Sequence, residues 1–228
     1  MTAKLKVAMC WDDAVTTDIR LISLLHKYNA KATFNINPGL LPQVTEAPRW
    51  VRYGDFGGYR GFCAGHVGLN DLKAVYGDFC VASHNWKHEN AGTIPDEAFL
   101  ESALHARHFL EDLFGRECPG FAWPCGVTTP ATADLLRQNG FRYGRTTQNT
   151  TNVAKAEDPL CLPSNCHFLD AHFYAKYEAA KKETNVFYFW GHTYETLNYE
   201  MLWQQLEFKI EFITNDPDAE WVNVVDLV

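Results

Sequence analysis

No stretch of this 228-residue chain approaches the roughly 20 consecutive apolar residues that cross a membrane; the longest apolar run is Val186 to Gly191. A membrane partner is therefore not expected. Basic residues are also scarce: 20 Lys and Arg stand against 28 Asp and Glu, for a formal charge of -8, with no local basic patch to reverse the field. Such a surface repels phosphate backbones, which excludes nucleic acid as a partner. The N-terminal apolar segment is too short for a secretory h-region and meets acidic residues at Asp12, so no signal peptide is expected. A disulfide framework is missing as well, because the seven cysteines are an odd, scattered set. That pattern suits a reducing compartment, and the cytoplasm is the expected location. Cys161 and Cys166 have no second pair to complete a structural zinc site. No internal repeat or low-complexity linker divides the chain, so residues 1–228 are read as one domain.

What is present is apolar content: 46% hydrophobic and 14% aromatic residues, enough for a sizeable core. Short β-rich runs alternate with segments of helical period, the signature of a mainly parallel sheet with helices packed outside it. Strands are expected at residues 4–11, 31–36, 79–83, 120–123, 141–146, 185–190 and 220–225, with a weak candidate at 160–162. Helices are expected after Thr17, from about Pro95 to Phe114 behind a Thr93-x-x-Asp96 signal, over 129–139 and 171–182, and from an Asn198 cap to about Thr214. The fold class is α/β, an irregular, seven-stranded and incomplete (β/α) barrel, since a full eight-fold barrel usually needs about 250 residues. Residues 37–78 interrupt the alternation with a long glycine-rich insertion carrying Trp50, Tyr53, Phe56, Tyr59, Phe62 and Tyr76. Its rings could stack on sugar faces or pack on one another.

Three polar clusters fall at expected C-terminal strand ends, where barrel sites assemble. Trp11-Asp12-Asp13 places two carboxylates side by side, which requires a cation, a shared proton or divergence of the side chains. Asp13 as a plain cap of the following helix is the simpler alternative. Ser83-His84 to His88 offers two imidazoles at i and i+4, which share a face if a helical turn begins there; a solvated turn is the alternative. Phe187 to Trp190 delivers His192 past a strand end, a position for a proton donor or for a structural histidine. All five groups on one barrel face favour a metal site over independent structural roles. His66 in the insertion is unassigned, and His105 and His108 read as helix-surface residues.

These residues resemble the motifs of the polysaccharide deacetylases with the NodB homology domain, carbohydrate esterase family four. Trp11-Asp12-Asp13 is similar to the family's first motif, His84 to His88 to its His-x-x-x-His motif, and Phe121 to Gly126 to its third. Phe189-Trp-Gly-His192 is similar to its last. The resemblance implies a barrel in which Asp13, His84 and His88 hold one divalent cation, Zn2+ foremost, with Co2+, Ni2+ or Mn2+ as alternatives. It further implies Asp12 as catalytic base, His192 as general acid and the Cys125 backbone N–H as an oxyanion donor. The implied reaction removes an N-acetyl group from an amino sugar or glycan. A small non-sugar amide as substrate, or a glycan-binding protein without turnover, are the alternatives. Two positions depart from the family pattern. Ala122 stands where an arginine usually pairs with the base, leaving Arg142 and Arg145 as replacements, and no equivalent of the fourth-motif Asp is visible, with His167 or Asp170 as substitutes.

Overall fold

A computed structural model describes residues 4–52 and 58–228, so Tyr53 and Phe56 lie outside the described residues. Strand β1 (Leu5–Asp12) is the centre of the fold, buried on both faces apart from Lys6. On one side it pairs in parallel with β10 (Val186–Gly191). Its other edge is divided: Leu5 to Val7 pair with β11 (Ala219–Trp221), and Cys10 to Asp12 pair with β2 (Thr33–Ile36). From β2 the sheet continues through β5 (Cys80–Ser83), β6 (Gly120–Ala122), β7 (Tyr143–Asn149) and β8 (Leu162–Ser164). From β10 it runs the other way to β9 (Cys166–His167). The small pair β3 (Arg49–Trp50) and β4 (Phe62–Cys63) stands apart within the insertion.

The main sheet thus has nine strands where seven were expected. The difference arises at the seam. β8 and β9, the two ends of the sheet, are separated in the chain by Asn165 alone, so one stretch supplies both edges. The Asn165 side chain stitches them together. Its carbonyl accepts the Tyr188 N–H at 2.7 Å, its amide reaches the Thr150 carbonyl at 3.3 Å, and its own N–H bonds the Tyr188 carbonyl at 2.7 Å. Two strands this short carry no readable alternation, so sequence periodicity does not detect them.

Side-chain alternation along the strands divides the apolar interior into layers. Leu5, Val7, Met9 and Trp11 pack outward against helices, whereas Ala8 and Cys10 face the barrel interior with Tyr143, Leu162 and Tyr188. The helices cover the outside through α1 (Asp18–Lys27), α3 (Asp96–Phe114), α4 (Pro130–Gln138), α5 (Phe173–Glu183) and α6 (Glu200–Thr214). Each presents a buried stripe, as with Phe99, Ala103, Ala106 and Leu110 of α3. The insertion adds a short helix, α2 (Leu72–Tyr76), and buries Phe62 and Tyr76, so part of its ring content is core; Trp50 stays 51% exposed.

Three expected caps are absent because their side chains are used elsewhere. Thr17 contacts the Thr193 hydroxyl at 2.7 Å, Thr93 bonds the Asn90 carbonyl, and Asn198 accepts from the Trp203 indole. None makes a capping bond to its helix. The Thr129 cap of α4 is formed, with a reciprocal Thr132 partner.

Asp18, in the first turn of α1, is fully buried and receives hydroxyl hydrogen bonds from Thr193 at 2.5 Å and Tyr76 at 2.8 Å. Burial pushes its carboxyl up to about 7, against the opposing effect of those bonds. The folded state therefore holds this proton between the unfolded value near 4 and about 7, and stability falls as pH rises through that window. With chelator present, urea unfolding of the wild type should lose on the order of 3 kcal/mol more between pH 4 and pH 8 than Asp18→Asn loses. Parallel pH slopes for the two proteins would show that Asp18 is ionised throughout.

Candidate metal centre

Because the sheet is parallel, the C-terminal ends of its strands share one face, and alternation decides which side chains turn into the interior there. Asp12 continues the inward set of Ala8 and Cys10. Asn35 lies on the inward face of β2, Arg145 follows Tyr143 on β7, and His192 follows Tyr188 and Trp190 of β10. His84 continues inward from Ala82, one residue past the end of β5. Five polar groups thus converge over the nearly closed barrel.

Asp12 is 2% exposed. One of its oxygens accepts the Asn35 amide at 2.7 Å and the other accepts the Arg145 guanidinium, itself only 1% exposed. Burial alone would push the Asp12 carboxyl up; Arg145, followed by His84, His192 and Asn35, outweighs it and holds the group well below the carboxylate range. Of the two arginines considered from sequence, the structure brings Arg145 to Asp12. Ala122 and Arg145 are register partners on adjacent strands, so the charge sits one strand over and the methyl of Ala122 leaves room for it. The guanidinium carbon also lies 4.6 Å from the centre of the Trp190 ring, a cation–π contact.

Asp13 is turned out of the strand by two successive left-handed residues, with φ of 79° at Asp13 and 50° at Ala14. Its carboxylate accepts the Asn37 amide at 3.3 Å and lies 3.6 Å from His84 Nε2. His84 Nδ1 is 2.8 Å from the Ala122 carbonyl, an acceptor that fixes the proton on Nδ1 and leaves the Nε2 lone pair facing Asp13. Burial of the ring lowers the His84 pKa, which favours this neutral form.

No helical turn follows β5, contrary to the expectation for residues 84–88: Asn85 and His88 are both left-handed, with φ of 62° and 59°. It is this irregular loop that folds the His88 ring against His84, with centroids 4.6 Å apart. One donor atom each from Asp13, His84 and His88 falls within 4.8 Å of the others. Two ligands of a tetrahedral Zn2+ stand about 3.4 Å apart, close to the Asp13–His84 separation, and a carboxylate with two imidazoles is a common donor set for such an ion. The residues present therefore fit a divalent cation.

His192 lies 3.6 Å from Asp12 and 3.8 Å from Asp13 through Nε2. Its Nδ1 and its backbone N–H both reach Glu195 Oε2, at 3.2 and 3.0 Å. The same oxygen lies 2.8 Å from His167 Nε2, and His167 Nδ1 accepts the Leu169 N–H, which places the His167 proton on Nε2. Burial would push the Glu195 carboxyl up, but His167 and His192 hold it at about 2. Burial also opposes charge on His192; Glu195, Asp12 and Asp13 more than compensate and raise its pKa.

Glu195 thus occupies the orienting position that His167 or Asp170 was considered for. His167 acts one step further out, and Asp170 pairs with Lys176 at 2.6 Å instead. The His-x-x-Glu spacing of a capping box was the available signal for Glu195. Cys125 is exposed and left-handed at φ 53°, in a 3-10 turn after β6. Gly126, at φ 71°, lets that turn lie against Thr147, where an added Cβ would come within 2.2 Å of the hydroxyl oxygen. His66 borders the cavity described below, and His105 stacks on Trp86 at 3.8 Å.

Beside Asp13 opens a cavity of about 610 Å³, walled by Tyr59, Phe62, His66 and Arg49 of the insertion and by Tyr194. Tyr194 stacks on His192, with centroids 4.7 Å apart, and touches Tyr59 at 5.6 Å, so one ring joins the cavity to His192.

Comparison with known proteins places these features in context. A family model described as polysaccharide deacetylase matches residues 1–144. Among solved structures, a family 4 acetyl xylan esterase from Clostridium thermocellum, in complex with a cobalt ion, is 14% identical with a TM-score of 0.60, covering 97% of this chain and 89% of its own. The Xyl-CE4 domain of a multidomain xylanase from the hindgut metagenome of Trinervitermes trinervoides is 15% identical with a TM-score of 0.58, over 99% and 90% of the two chains. A mutant of the CE4 family pseudoenzyme BA3943 with restored enzymatic activity is 12% identical with a TM-score of 0.59, over 100% and 68%. At these identities the likeness establishes the barrel fold. No curated protein matches the chain.

Removing Arg145 leaves a buried carboxylate without its counter-charge. Arg145→Ala should cost about 3–5 kcal/mol in urea unfolding with chelator present, and Ala122→Arg added to it should recover part of the loss. A cost under about 1 kcal/mol would mean that Asp12 is solvated without Arg145.

Proposed function

The chain belongs to the polysaccharide deacetylase family, and from that premise we propose that it is a metal-dependent hydrolase that removes N-acetyl groups from an amino sugar or glycan. The observation that carries the reading is the meeting of Asp13, His84 and His88 donor atoms within 4.8 Å, with Asp12 and His192 3.6 Å apart beside them. Asp13, His84 and His88 hold the cation. When bound, a divalent ion at this position supplies Lewis-acid polarisation of the acyl carbonyl and lowers the pKa of water.

The chain's own groups supply the proton transfers. Asp12, kept ionised by Arg145 and Asn35, orients the attacking water and accepts its proton. A carboxylate held this strongly is a weak base, so much of its contribution is geometric, together with the negative charge it keeps beside His192. The imidazolium of His192 holds its transferable proton on Nε2, because Nδ1–H is committed to Glu195. It delivers that proton to the departing nitrogen as the C–N bond breaks, and acetate and a free amine result. The Cys125 N–H stabilises the negative oxygen that forms when the carbonyl is attacked. The cavity beside Asp13 accommodates the sugar, with Tyr59 and Tyr194 offering rings to its C–H faces.

One neighbour of this fold derives from a pseudoenzyme, so fold alone does not distinguish turnover from binding. The Asp12–Arg145 pair and the His167–Glu195–His192 chain favour turnover, since a binding protein has no use for a charged base and an oriented acid.

Protein purified without chelator should carry about one divalent ion by elemental analysis, and His84→Ala should lose it. Asp12→Asn should keep the ion yet release acetate from N-acetylglucosamine oligomers at least about 100-fold more slowly. Full metal content in His84→Ala, or an unchanged rate in Asp12→Asn, would overturn the reading. Because Glu195 raises the His192 pKa, Glu195→Gln should move the alkaline limb of the rate profile to lower pH. An unmoved limb would remove His192 as the acid.

A further inference from the structure

Along the edge of the cavity the insertion also meets the loop that follows β1. Val67 N–H bonds the Ala14 carbonyl at 2.9 Å, and Thr16 N–H bonds the Gly65 carbonyl at 3.0 Å, the two rungs of an antiparallel bridge between Val15 and His66. A third tie runs from the Thr16 hydroxyl to the Glu46 carbonyl at 2.8 Å. Residue 46 is in turn tied to residue 66 in both directions: Glu46 N–H reaches the His66 carbonyl at 3.0 Å, and His66 N–H reaches the Glu46 carboxylate at 3.1 Å. Gly65, at φ 71°, makes the approach possible, because an added Cβ there would lie 2.9 Å from Glu46 backbone and side-chain atoms.

These bonds converge on Asp13 and Ala14, one of the two places among the described residues where successive non-glycine residues are left-handed, the other being Leu197 and Asn198. Residues with side chains hold that conformation only when their surroundings over-determine it. Outside the strand ladders, the turn's other backbone bond among the described residues runs from Asp13 N–H to the Asn35 carbonyl, at 3.1 Å.

We infer that residues 44–46 and 65–67 of the insertion act as a clamp that holds the Asp13–Ala14 turn left-handed and thereby sets the affinity of the metal centre. Released from the clamp, the turn relaxes towards ordinary φ and swings the Asp13 carboxylate away from His84. Thr16 and Gly65 are positioning residues in this scheme; they act on the ion only through Asp13. The inference rests on Asp13, His84 and His88 being the ligands.

The test is a zinc competition titration against a chromophoric chelator on four proteins: wild type, Thr16→Val, Ala14→Gly, and the two changes combined. His84→Ala serves as the site control and Thr16→Ser as the control that keeps the hydroxyl. Thr16→Val should weaken zinc binding about tenfold, while Thr16→Ser binds as the wild type does. Glycine adopts the left-handed region without a side-chain penalty, so Ala14→Gly should restore most of the affinity lost in Thr16→Val. Thermal unfolding of the metal-free proteins accompanies each titration, because a purely structural role for Thr16 would lower the melting temperature without changing zinc affinity. That outcome, or a loss of affinity that Ala14→Gly does not repair, overturns the clamp while leaving the ligand assignment intact. Unchanged binding in His84→Ala overturns the ligand assignment and the clamp together.

Discussion

A carboxylate facing the interior of a closed barrel can stay ionised only if a cation of fixed geometry is buried with it. The pairing of Asp12 with Arg145 meets that requirement, and much of the local structure follows from it. Their strands are not neighbours, so the arginine side chain has to extend across the barrel interior. Small residues on the inward face of the intervening strands, Ala82 and Ala122, leave that space open. Trp190 closes over the guanidinium from β10. The buried pair also fixes the relative register of β1 and β7, because a shift of one residue would turn Arg145 outward into the helix layer.

The same inward face explains why a sequence reading located the site better than it described it. Apolar strands ending in Asp12, His84 and His192 are legible because alternation and strand length are local properties. Placing two histidines four residues apart suggested a helical turn, yet residues 84–88 form a loop with two left-handed residues. Spacing alone cannot separate those cases; both bring i and i+4 together. The charge absent at Ala122 was legible as far as two candidates on the following strand, Arg142 and Arg145; strand register, which the sequence does not fix, selects Arg145. Glu195 escaped notice because it lies after His192, where it also reads as the first acidic residue of a helical turn.

The helix caps and the barrel seam were less legible for a related reason. Thr17, Thr93 and Asn198 are good capping types, but Thr17 has a tertiary partner, Thr93 bonds the loop before it, and Asn198 takes the Trp203 indole of its own helix in place of a backbone N–H. For the insertion, composition leaves open whether its rings stack on sugar or pack on one another. Its rings divide instead between core, as with Phe62 and Tyr76, and surface, as with Trp50, and its backbone reaches back to the strand-end turn.

Asn165 joins the last hoop of the barrel with one side-chain amide, and His167 lies two residues beyond it on β9. Through His167 and Glu195, the orientation of His192 is thereby tied to the junction between the two ends of the sheet. A nascent or partly opened chain in which the Thr150 and Tyr188 strands have separated lacks the scaffold that steers Glu195 and, through it, His192. On the proposed reading, proton delivery by His192 depends on the same junction that brings the two ends of the sheet together.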